Sequence, residues 1–121
     1  MSGNPKIALA LATKAQLAQG RLEQIRRQVV KQIQQAEPLQ TYQDLVHDLA
    51  SEEVRNQTFH TLSGVAEKRG SESLKRLMIQ VMLEGPDDTW SGRYNDLRRV
   101  RYEARLSAYR EANQLLLAEE D

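Results

Sequence analysis

The stretch NPKIALALATKAQLAQGRLEQIRRQVVKQIQQAEP, Asn4 to Pro38, decides the fold. Leu11, Ala15, Ala18, Leu22, Ile25, Val29 and Ile33 recur at steps of three and four. That spacing keeps one apolar stripe on one side of a helix about thirty residues long. Asn4 is a natural cap for the free amides of the first turn, and Pro5 fits there because its missing N–H costs nothing. Pro38 cannot continue the ladder and is expected to stop the helix. Gly20 interrupts the pattern and predicts a close helix contact or a slight bend.

The rest of the chain repeats this grammar in shorter phrases. Thr41-Tyr-Gln-Asp44 resembles a capping box and opens a short helix that would bury Tyr42, Leu45, Val46 and Leu49. Ser51-Glu52-Glu53 reads as another start, because acids complement the positive end of a helix dipole. Val54, Thr58, Leu62 and Val65 share one side of that helix, and Arg69-Gly70 ends it with a left-handed glycine cap. Ser71 restarts a helix that would bury Leu74, Leu77, Met78, Val81 and Met82 before Gly85-Pro86. The last helix is predicted from about Thr89 to Leu117. No segment alternates with period two. The expectation is an all-α helical bundle of about five helices, two long and three short, forming a single domain over residues 1–121. The two long helices, 5–36 and 89–117, are expected to pack on each other as its spine.

Composition narrows the function classes. With 121 residues and 40% apolar side chains the chain can bury a core, and its 17 basic and 17 acidic residues cancel. No cysteine is present, so there is no disulfide, no thiol nucleophile and no cysteine zinc site, which points to a cytoplasmic setting. No run of about eighteen apolar residues could span a bilayer. Charge is strongly segregated. Residues 1–36 carry six basic side chains against Glu23 alone, and residues 37–63 carry five acids against Arg55 alone.

Catalytic patterns are missing. Asp44, His47 and Asp48, with Glu52 and Glu53 nearby, hold a single copy of a di-iron-like acid-x-x-His spacing, on the side opposite Leu45 and Leu49. One copy supplies too few converging ligands, so no metal site and no cofactor is expected. Ser51, Ser71 and Ser91 are explained as helix caps, and the glycines are too isolated for a phosphate loop. The chain is not expected to be an enzyme or to take a small-molecule substrate.

What remains is a surface. RYNDLRRVRYEARLSAYR, Arg93 to Arg110, holds six arginines. At 100° per residue Arg98, Arg101 and Arg105 share a stripe, which Tyr94 and Tyr109 extend at either end. Beside it runs an apolar stripe of Trp90, Leu97, Val100, Ala104, Ala108, Ala112 and Leu115. Guanidinium groups interleaved with aromatics suit phosphates, stacked bases or acidic protein surfaces. Lys68, Arg69, Lys75 and Arg76 bracket the Gly70-Ser71 junction, where free helix amides beside cations suit a phosphate. Tyr102, Leu106, Tyr109 and Leu116 form a further apolar side of the last helix, usable against a neighbouring subunit.

In size, class and charge layout the whole chain resembles the small helical subunits of CRISPR effector complexes. Those line the belly of the particle and guide nucleic-acid strands by backbone contacts. The resemblance implies a subunit of an antiviral ribonucleoprotein whose copies stack edge to edge, with Arg98, Arg101 and Arg105 on phosphates of DNA or RNA. The alternative is a helical adaptor that binds only protein, its arginines meeting acidic partner surfaces.

Overall fold

A computed structural model describes residues 3–36, 39–84 and 95–120; Pro38, Gly85, Pro86, Thr89, Trp90, Ser91, Arg93 and Tyr94 lie outside the described residues. Three helices account for nearly all of them: α1 (Pro5–Gln35), α2 (Leu39–Glu84) and α3 (Asn95–Glu120), with no strand among the described residues. The all-α expectation holds, but the described residues form three helices rather than about five.

Helix α1 begins as its sequence dictates. Asn4 Oδ1 accepts the Ile7 amide at 3.2 Å, with Pro5 in the first turn. The helix ends at Ala36, whose left-handed backbone (φ 52°, ψ 50°) turns its N–H back onto the Gln32 and Ile33 carbonyls. Gly20 marks no close helix contact: it sits exposed within the helix, and no atom lies within 4 Å of where a Cβ would stand.

Helix α2 accounts for the difference in number. No helix starts at Ser51, because α2 runs unbroken through Ser51, Glu52 and Glu53. Those acids face α1 instead. Arg21 reaches Glu52 at 3.9 Å and Arg26 reaches Glu53 at 3.7 Å. Only Gly70 leaves helical geometry, at φ 86° and ψ −176°, a backbone region that glycine alone occupies without strain. It splits α2 into a first arm, 39–69, and a second arm, 71–84.

The directions of these rods follow from their contacts. Asn4 meets Ala66, Ser63 donates to the Ala8 carbonyl at 2.7 Å, and Asn56 donates to the Ala15 carbonyl at 2.8 Å. The first arm is therefore antiparallel to α1. Helix α3 also opposes α1, through Asn4–Glu119 and Lys14–Glu111. Ser71 lies beside Asn4 and thus beside Glu119, and residues 75–82 line a groove with residues 106–113. The second arm accordingly folds back along α3.

The core lies at the end where Asn4, Gly70 and Glu119 meet. Leu11, Phe59, Leu62 and Leu74 are its largest fully buried side chains, packed with Ala15, Ala66, Ala108 and Ala112. The alanines permit the close helix approach that the cross-helix bonds to Ala8 and Ala15 require. Towards the other end burial thins until Val30 and Ile33 are exposed. The expected α1–α3 spine is not what forms. Both helices pack chiefly on α2 and meet each other only sparsely. Val46 and Met82, expected to be buried, face solvent, whereas Phe59, which the spacing does not single out, is fully enclosed.

Candidate interaction surfaces

At mid-height an ion network ties the three helices together. Arg55 on α2 lies 2.6 Å from Glu111 on α3 and 3.9 Å from Glu52, donates to Ser107 Oγ at 2.7 Å, and stacks 5.3 Å from the Phe59 ring centre. Lys14 on α1 approaches Glu111 at 3.1 Å. Burial pushes the Glu111 carboxyl up, but the Arg55 and Lys14 cations against it outweigh that and hold its pKa below the usual glutamate value. The charge segregation is matched in part across the α1–α2 contact, where Arg21 and Arg26 meet Glu52 and Glu53 of the acidic stretch.

A second hub joins the ends of the helices. The Asn4 amide donates to the Ala66 carbonyl at 2.7 Å, four residues before the Gly70 break. Asn4 Nδ2 donates to Ser71 Oγ and to Glu119 Oε1, each at 2.8 Å. A Cβ on Gly3 would collide with the Glu67 carbonyl oxygen, so the approach depends on glycine. Sequence reasoning found the cap but not these long-range bonds, which carry no local signal.

The arginine surface is only partly as expected. Arg101 and Arg105 are exposed, while Arg98 is half-buried. Tyr109 does not extend this face: it is 7% exposed, packed in the core beside Ala108 and Ala112. Burial raises its phenol pKa, against a smaller lowering by the neighbouring Arg105 charge. Tyr94 lies outside the described residues. Neither of the two tyrosines expected to extend the stripe is therefore shown on it, while Tyr102, half-buried, is the described aromatic next to Arg101. At the Gly70 junction Lys68 and Arg69 are exposed, but Ser71 Oγ is occupied by Asn4, and Lys75 sits 3.9 Å from Glu72. Lys75 and Arg76 belong to a different feature.

That feature is an open groove of about 450 Å³ between the second arm of α2 and α3. Met78, Ile79 and Met82 form one wall, Leu106 and Tyr109 the other, and Lys75, Arg110 and Asn113 complete the lining. Beside it a shallow surface continues over Ile79 and Leu83 to Arg76, Gln80 and Glu84. Ile79, Met82 and Leu83 are 52%, 45% and 82% exposed. The further apolar side expected on α3 is thus real at Leu106, but Tyr109 and Leu116 are absorbed within the chain.

Among the described residues, Asp44 and His47 included, no group of three potential metal ligands converges. Nor is any described helix long and apolar enough to cross a membrane. Comparison of the chain with protein-family models, with characterised proteins and with solved structures finds no match.

Proposed function

We propose that this protein is a helical adaptor subunit that works by binding other proteins. One observation carries the reading: the second arm of α2 presents Ile79, Met82 and Leu83 to solvent beside an open apolar groove. Scattered exposed leucines are ordinary, whereas a contiguous apolar patch edged by polar groups is the common mark of a protein contact. Its test is purification of tagged protein from its native cell beside an Ile79→Ser/Met82→Ser variant. A stoichiometric protein partner present with wild type and lost with the variant supports the adaptor; identical partners with both refute it.

A second reading keeps the nucleic-acid contact. Arg101 and Arg105 are exposed on one stripe with Arg98, which suits phosphates spaced along a strand. It would make the protein a subunit of a nucleoprotein complex of the CRISPR small-subunit kind. Replacing Arg98, Arg101 and Arg105 with Gln should then lower the log–log salt slope of oligonucleotide binding by about 2 to 3 units. An unchanged slope removes this reading and leaves the adaptor.

A further inference from the structure

We infer that the groove between the second arm of α2 and α3 receives an acidic amphipathic helix of a partner protein; this rests on the adaptor reading and specifies its chemistry. Of the ten residues from Leu74 to Leu83, seven are apolar. Leu74 and Met78 are spent on the core, and Leu77 and Val81 are half-buried. Ile79, Met82 and Leu83 point elsewhere. An apolar surface this extensive is normally covered, and none of the described residues buries Ile79, Met82 and Leu83.

The shape of the gap selects a helix. A cavity of about 150 Å³ takes one benzene-sized group, so about 450 Å³ takes roughly three side chains. Three anchors are what one helix face presents at i, i+3 or i+4, and i+7. The groove wall from Lys75 to Met82 is about 10 Å long at 1.5 Å per residue, two turns of a docked helix. Met82, exposed on this wall, has an unbranched side chain that remoulds around different anchors.

The rim selects acids. Arg110 lines the groove, is exposed and is in no ion pair among the described residues; Lys75, 3.9 Å from Glu72, is a second cation in the lining, and Arg76 is exposed on the adjoining surface with Glu84. Glutamates flanking the anchors of a partner helix would meet them, while a basic amphipathic helix would be repelled. A second copy of this chain does not fit. Helix α1 is basic, Glu52 and Glu53 of α2 are committed to Arg21 and Arg26, and α3 is arginine-rich. Apolar walls also suit a strand of phosphates poorly.

The test uses the whole protein and three synthetic helices of about sixteen residues: leucine anchors flanked by glutamates, the same anchors flanked by lysines, and the glutamate peptide with alanine anchors. Fluorescence anisotropy should show the glutamate peptide binding at least tenfold tighter than either other. Ile79→Ser and Met82→Ser should each weaken it about tenfold with the melting temperature nearly unchanged, since both side chains are largely exposed. Arg110→Glu should reverse the preference towards the lysine peptide. Equal binding of the two charged peptides overturns the acidic partner and leaves the adaptor standing. Absence of binding overturns the helical occupant. Self-association abolished by Ile79→Ser overturns it in favour of a second copy. The adaptor reading itself falls only if the serine variants keep every cellular protein partner.

Discussion

Replacing Gly70 with Ala tests whether the bend in α2 is imposed by backbone geometry. At φ 86° and ψ −176° an alanine Cβ is strained by about 1–3 kcal/mol. Straightened into one helix, the same alanine gains about 1 kcal/mol over glycine. The balance between bent and straight forms therefore moves by roughly 2–4 kcal/mol towards straight. Opposing this, Leu74 and Met78 are buried by the folded-back arm, each worth about 1.5–3 kcal/mol. The bent form should survive, weakened by about the strain alone. At about 4 °C per kcal/mol for a domain of this size, the melting temperature falls by roughly 4–12 °C. Gly64→Ala is the control. Gly64 lies in regular helix with no atom within 4 Å of the added Cβ, so it should gain about 0.5–1 kcal/mol and melt higher. If Gly70→Ala melts at or above wild type while Gly64→Ala behaves as stated, backbone strain is not what bends α2.

Other outcomes follow from single residues. Glu111→Gln should lower the melting temperature near neutral pH. The lowered glutamate pKa stabilises the fold above the unfolded value near 4.3 and loses that effect as pH falls through the folded value, so the gap to wild type should narrow from pH 6 to pH 3; a constant gap would contradict the network. Ala108→Leu should overpack a fully enclosed site and cost about 1–3 kcal/mol, read by chemical denaturation; no change would place Ala108 at a surface. Ala36→Gly should add about 0.5–1 kcal/mol by relieving the left-handed backbone at φ 52°, and a lower denaturation midpoint would count against that geometry.

Much of the fold can be read along the chain, and the failures have physical causes. The Asn4 cap, the alanine-leucine seam and the Gly70 break each depend on a few neighbouring residues, and each is where the sequence places it. Glu52 and Glu53 were ambiguous for a real reason. Two acids after a serine look the same whether they cap a helix or face a basic neighbour, and only the antiparallel partner Arg21–Arg26 distinguishes the two. Tyr109 failed likewise: helical spacing places it near Arg105, but not which neighbour covers it. Met82 was expected inside by period alone. Its exposure reflects how few helices surround the second arm, which no local pattern encodes. For the same reason the groove was legible only as separate halves, an apolar run and a cluster of cations.

The bonds from Asn4 to Ser71 and Glu119 span 67 and 115 residues of chain. A growing polypeptide therefore makes α1 long before that helix can be locked, since its locking partners follow 67 and 115 residues later. Helical proteins usually fold quickly because their contacts are local, but here closing the core waits on distant segments. During that interval the seam of α1 and the apolar second arm of α2 are both uncovered, and they form the surface a nascent-chain chaperone would hold.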